Sequence, residues 1–174
     1  MSKNIQDIIM GNQQERLFFD VGYLLGIIDG EGSYQIASGY KYKNYTIYRP
    51  RISIYNNNPY IIDKIADILN NLDIKHLKWQ PKLHGRDKAI GYRIEVGGIK
   101  RIKRLTDFLL KFPSGKLERI KVLNDFCNYR ILFKTNKRDG ETYSEKVLEY
   151  KNKLNLLNSK YRGTESSETT RFDI

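Results

Sequence analysis

The sequence predicts an α+β protein with one leading helix, two strand pairs separated by a second helix, and three further helices. Three observations predict it. In five stretches the apolar residues return every three or four positions, as on one face of a helix. In four others apolar and polar residues alternate, as on a strand with one buried face. Between them stand short runs of Asn, Gly, Pro and Asp, the residues that turn a chain.

Residues 1–13 are polar and weakly periodic and read as a frayed lead-in or a short helix. A helix is expected from Gln14 to Ile28, with Leu17, Phe18, Val21, Leu24, Leu25 and Ile28 as its apolar set. Two strands follow, Ser33 to Tyr42 and Tyr45 to Tyr55, joined at Lys43-Asn44. In the first, Tyr34 and Ile36 share one side and Gln35, Ala37, Gly39 and Lys41 the other. In the second, Ile52 and Ile54 point inward, and Arg49, Arg51, Ser53 and Tyr55 outward. Asn56-Asn57-Asn58-Pro59 then opens a helix running to about Leu72, with Pro59 at its start and Ile61, Ile62, Ile65, Ile68 and Leu69 on its stripe.

A third strand is expected over His76 to Leu83, with Leu77 and Trp79 inward and Lys78, Gln80 and Lys82 outward. Gly85 to Lys88 turns the chain into a fourth, Gly91 to Val96, with Tyr92, Ile94 and Val96 inward and Arg93 and Glu95 outward. The four strands thus make an antiparallel sheet with one apolar and one basic face. Three helices complete the chain, Ile99 to Lys111, Leu117 to Phe133 and Ser144 to Leu157, the first two separated by Phe112-Pro113-Ser114-Gly115. The organisation expected is a single domain over residues 14–160 and a Ser/Thr/Glu-rich, disordered tail over 161–174.

Composition narrows the function. Against 20 acidic residues the chain carries 31 Lys and Arg, a formal net charge of +11 and a pI near 9.6. That favours a polyanionic partner. No stretch reaches the roughly 18 apolar residues of a membrane span, so nucleic acid is preferred over a membrane. One cysteine, Cys127, excludes an internal disulfide and a cysteine-based zinc site, and two histidines are too few for a histidine-rich one. A metal would be held by oxygen. The N-terminus lacks the pattern of a signal peptide, so an intracellular, reducing compartment is expected; organelle, phage-infected cell and bacterial cytoplasm are not distinguished.

The stretch most loaded with chemistry is Leu24 to Gly32, Leu-Leu-Gly-Ile-Ile-Asp-Gly-Glu-Gly. Gly22, Gly26 and Gly30 recur every four residues and fall on one side of the helix. Each interior Gly costs about 1 kcal/mol relative to Ala, so the stripe makes sense if a second backbone packs closely there. Gly30 and Gly32 are expected to permit the turn out of the helix, leaving Asp29 and Glu31 at its end. A helix whose acids merely cap a turn would share part of this pattern. A calcium-binding loop would not fit, because its twelfth position is Tyr40 where a bidentate Glu is required.

The stretch resembles the motif of the LAGLIDADG homing endonucleases at Leu24, Gly26, Ile27 or Ile28, Asp29, Gly30, Glu31 and Gly32, with Leu25 where Ala is common. The element order matches that family's αββαββα core over about residues 14–130, with additional C-terminal helices. The resemblance implies a sheet that lies on DNA and two motif helices packed against each other. With one motif in the chain it implies a homodimer, with Gly22, Leu25, Gly26, Asp29 and Gly30 at the interface. It implies that Glu31 binds the catalytic metal, Mg²⁺ with Mn²⁺ as a substitute, that the Gly32 carbonyl is a second ligand and that Asp29 is mainly structural. It places a lysine near the scissile phosphate, Lys116 or its competitor Lys111, and a polar side chain at Asn56, which a loop or helix cap would equally use. Recognition falls to Gln35, Lys41, Arg49, Arg51, Ser53, Tyr55, Lys78, Gln80, Lys82, Arg93 and Glu95.

The activity so implied is metal-dependent double-strand cleavage of a long, roughly palindromic DNA site, in the service of intron homing. An intron RNA maturase and a non-catalytic DNA-binding module are the alternatives on the same scaffold.

Overall fold

The computed structural model describes residues 5–42, 45–80, 91–133 and 140–160. Their elements are α1 (Ile5–Glu31), β1 (Gly32–Tyr42), β2 (Tyr45–Asn56), α2 (Pro59–Asn71), β3 (Leu77–Trp79), β4 (Tyr92–Gly97), α3 (Ile99–Leu109), α4 (Leu117–Leu132) and α5 (Gly140–Lys160). The strands form one four-stranded antiparallel sheet in the order β1-β2-β4-β3, with β1 and β3 at its edges. This is the α+β order the sequence predicts. The expected turn at Lys43-Asn44, the turn at Gly85 to Lys88 with Lys82 before it, and the tail 161–174 lie outside the described residues.

The chain divides into two compact units, one drawn from Met1–Ser33 and Ser53–Glu95, the other from Tyr34–Ile52 and Val96–Ile174. In the first, α1 packs on α2. Val21, Leu24 and Ile28 of α1 and Ile62, Ile65, Ile68 and Leu69 of α2 are buried, each set at helical spacing. Lys64 reaches Asp20 at 2.5 Å between the two helices. The Asn58 side chain accepts the Tyr60 N–H and caps α2, with Pro59 in the first turn. The other end closes with Asp73 N–H to Asn70 O (2.9 Å) and Ile74 N–H to Leu69 O (2.8 Å). That paired closure needs a left-handed residue, and Asp73 supplies it at φ 52°.

In the second unit α4 packs on both α3 and α5. Ile102, Leu105 and Leu109 of α3, Ile120, Leu123, Phe126 and Cys127 of α4, and Val147 and Leu154 of α5 are buried. Gly98, at φ 93°, turns β4 into α3, and its N–H bonds the Pro50 carbonyl of β2 at 3.2 Å. A polar network joins α3 to α4: Asn124 Nδ2 donates to Thr106 Oγ1 (2.9 Å) and to Asp107 Oδ1 (2.8 Å), and Lys103 Nζ reaches the same carboxylate at 2.5 Å.

Several expectations are corrected. Helix α1 starts at Ile5, not Gln14, because Gln, Glu, Arg and Met are good helix formers and extend a helix already nucleated downstream. It also runs through Glu31 rather than ending at Ile28, so Gly30 is helical and makes no turn. Leu17 and Phe18, placed in the core by periodicity, are 54% and 75% exposed. Helix α5 is longer at both ends than Ser144 to Leu157. The described part of the third strand is only Leu77–Trp79, and its faces are inverted: Leu77 pairs with Glu95, Lys78 with Ile94 and Trp79 with Arg93. Residues opposite each other in an antiparallel pair share a face. Leu77 and Trp79 therefore stand on the outward face and Lys78 on the face of buried Ile94, since a one-residue change of register moves every side chain across the sheet.

Burial pushes the Asp107 carboxyl up, but bonds from Lys103 and Asn124 outweigh it and hold the group below the 3.8 of an ordinary aspartate. A pKa lowered on folding contributes stability above the unfolded value and loses it as pH falls through the folded one. Thermal melting of wild type and Asp107→Asn should therefore differ at neutral pH, and the gap should close as pH falls below 3.8.

Candidate carboxylate site and nucleic-acid interface

The C-terminal half of α1 has two unlike sides. Val21, Leu24 and Ile28 are buried, while Gly22, Gly26 and Gly30 are exposed, and a Cβ added to any of the three would meet nothing within 4 Å. Glu31, the last helical residue, is exposed, and Asp29 and Leu25 are half-buried. One turn upstream, Phe18 and Phe19 continue the glycine side and are 75% and 68% exposed. Large apolar side chains in contiguous exposure make this side of the helix a candidate contact surface. Sequence periodicity could not reveal this, because a helix that is apolar on both sides gives no single stripe.

Gly32 follows Glu31 directly and begins β1. Among the described glycines only Gly98 has a positive φ, so Gly32 serves space rather than a turn. A Cβ there would press into the Ile28 carbonyl. The helix thus passes into the strand without a loop, which fixes the backbone position of Glu31 at the joint. Among the described residues there is no group of three or more His, Cys, Asp and Glu that could hold a metal. What one chain offers is an exposed carboxylate, Glu31, beside a backbone carbonyl at Gly32. That oxygen-only set fits a hard ion that keeps several waters and takes one or two carboxylates. Burial pushes the Cys127 thiol up to about 12, so it packs the core and offers no thiolate.

Asn56, at the end of β2, lies in the same unit as Glu31. Its Oδ1 accepts the Asn58 N–H at 2.8 Å, and Asn58 Oδ1 in turn accepts the Tyr60 N–H at 3.0 Å. Two successive Asn side chains therefore brace the entry to α2. Lys116 belongs to the other unit and is the residue before α4. Its N–H donates to Ser114 Oγ at 3.0 Å, and its carbonyl accepts from Arg119 and Ile120. Lys111 is exposed in the turn after α3.

In the second unit the outward residues of β1 and β2 interlock. Arg51 Nε donates to Gln35 Oε1 at 2.7 Å and Nη2 donates to the same oxygen. Arg49 is exposed. A cleft of about 470 Å³ opens beside them, lined by Arg51, Gln35 and Ser38 and by Lys151, Asn155 and Asn158 of α5, with no carboxylate among the described residues of its lining. Lys151 reaches Ser38 Oγ at 3.3 Å and stands 5.0 Å above the Tyr48 ring. The residues of α5 were missed from sequence, where only their spacing of four and three positions could have grouped them. Ser53, expected outward, is only 8% exposed, as a short side chain on a middle strand is readily overtopped. The side chain of Lys41 and all of Lys82 lie outside the described structure.

In the first unit Arg93 is ion-paired to Glu95 and its guanidinium carbon lies 4.8 Å from the Trp79 ring centroid. Tyr55 is exposed, and its hydroxyl end occupies the space a side chain at residue 91 would take. Gln80 is exposed just beyond β3. Lys78, expected on this face, instead pairs with Asp63 of α2.

Among solved structures the chain is similar to the homing endonuclease I-CvuI in complex with the I-CreI target, with TM-score 0.60 and 17% identity over 90% of each chain. It has the LAGLIDADG endonuclease fold. A second neighbour, the archaeal intron-encoded homing endonuclease I-Vdi141I complexed with DNA, has TM-score 0.57 and 21% identity over 90% of this chain and 89% of that one. A third, the LAGLIDADG homing endonuclease I-LtrWI bound to target DNA, has TM-score 0.57 and 19% identity, and only 42% of its longer chain is matched, against 75% of this one. No protein-family model and no curated protein matches the sequence. No helix of the described residues is long and apolar enough to cross a membrane.

Replacing Gly32 by Ala forces a methyl group into backbone that cannot yield. The variant should lose about 1–3 kcal/mol, the usual cost of overpacking, read as a lower urea midpoint with an unchanged slope.

Proposed function

We propose that the chain is a site-specific DNA endonuclease that works as a homodimer and makes metal-dependent cuts in both strands of a long, roughly palindromic site. One observation carries this reading: an exposed glutamate, Glu31, ends a helix whose glycine side is open to another backbone. Two such helices packed across a two-fold axis would bury Gly22, Gly26, Gly30, Phe18 and Phe19 and bring two Glu31 carboxylates together. The fold neighbours support it, since their structures are complexes of homing endonucleases with DNA, one in the presence of Mg and one of Ca.

Glu31 from each subunit and the Gly32 carbonyl would hold Mg²⁺, with Mn²⁺ as a substitute. When bound, the ion would supply an activated water, neutralisation of developing phosphate charge and help to the leaving oxygen. The chain's own residues do the rest. Arg49, Arg51, Gln35, Arg93 and Tyr55 would bind base edges and phosphates, with cations suited to guanine and Gln to adenine. Lys116 would hold positive charge beside the cleaved phosphate, with Lys111 as the alternative, and Asn56 would steady the loop at the strand's end. An intracellular location and a role in intron homing follow from this reading.

The deciding experiment is Mg²⁺-dependent cleavage of a partly randomised duplex library by wild type and by Glu31→Gln. Near-symmetric cut sites should be enriched with wild type and absent with Glu31→Gln, which should still bind the enriched duplex. Binding should weaken with salt at a log-log slope of about −0.9 per phosphate neutralised. Absence of cleavage with retained binding to structured RNA would point instead to an intron maturase. A separate outcome concerns assembly: Gly26→Leu should keep its helical circular dichroism yet sediment as a monomer and lose cleavage.

A further inference from the structure

We propose that Leu77 and Trp79 read the 5-methyl groups of thymines in the major groove, an inference that rests on the sheet's outward face being the DNA-facing surface. The register sets both side chains opposite Glu95 and Arg93, on the outward face, while Lys78 opposite Ile94 marks the other. Leu77 is 57% and Trp79 41% exposed. They are therefore large apolar groups held toward solvent on a face whose neighbours are ionic. Trp79 is not loose, because the Arg93 guanidinium lies over its ring at 4.8 Å and is itself ion-paired to Glu95.

Apolar side chains on a DNA-facing sheet have few suitable partners. The major-groove edges of the bases offer donors, acceptors and one apolar substituent, the thymine methyl. Against any other base Leu77 would meet a polar edge and strip water from it without return. Among the described residues the pair is flanked by Arg93 and Glu95, an ionic surround that suits the mixed polar and apolar floor of a groove better than an apolar protein contact. Thymine is the base that matches this pair.

Deoxyuridine differs from thymidine by that methyl alone, so it provides the test. In a duplex enriched by cleavage, each thymine is replaced singly by uracil and binding is measured for wild type, Leu77→Ser and Trp79→Ala. With wild type, uracil at one or two positions in each half-site should weaken binding about fourfold, the worth of one buried methyl. With Leu77→Ser, which leaves the Arg93–Trp79 pair in place, the penalty at one of these positions should vanish. Trp79→Phe, which keeps an apolar ring, should retain what Trp79→Ala loses.

A flat uracil scan with wild type overturns the inference while leaving the endonuclease reading intact. So does a penalty that persists unchanged in both Leu77→Ser and Trp79→Ala. Failure to enrich any duplex brings down both.

Discussion

The joint between α1 and β1 is the constraint on which the candidate site depends. A helix that ended in a loop would leave its last carboxylate mobile. Here Glu31 is followed at once by Gly32, whose missing side chain lets the chain press against the Ile28 carbonyl and continue as a strand. The backbone that carries the carboxylate is thereby fixed on both sides. Three buried residues at helical spacing, Val21, Leu24 and Ile28, anchor the helix from beneath. The glycine side opposite them stays open.

Most of the fold was legible from the sequence because its signals were local and redundant. The α2 stripe, the Asn58 cap and Pro59 all pointed to the same helix, and all are present. The alternation of Tyr34 with Ile36, of Ile52 with Ile54 and of Ile94 with Val96 gave the buried face of three strands correctly. Strand β3 failed because hydrophobicity was taken as a sign of inwardness. In a three-residue edge strand the register with β4, a non-local fact, decides the face, and it put Leu77 and Trp79 outward. The same logic misled at Leu17 and Phe18, apolar residues whose cover does not lie within the described chain.

The candidate site was legible only in part. Glu31 and its glycines stand out as candidates because they are contiguous in the sequence. Residues assembled from distant segments could not: the cleft formed by Gln35, Arg51 and Lys151 joins two strands to a helix more than a hundred positions later. Nor does sequence reveal that Asn56 braces a loop through Asn58, or that Lys78 is turned toward Asp63. Charge patterning identifies candidates, and the structure adds which of them are already engaged within the chain.

The fork between Arg51 and Gln35 has a bearing on how such a surface can change. Both guanidinium donors converge on one amide oxygen, so each side chain sets the orientation of the other. Groups coupled in this way do not contribute additively. A single replacement at either position would remove two of the bonds that orient its neighbour, and the effect of changing both would not be the sum of two separate changes. Any change to this part of the sheet, whether by mutation in nature or by selection in a library, therefore has to treat residues 35 and 51 as one unit. Single steps would pass through intermediates in which the remaining side chain has lost the partner that orients it.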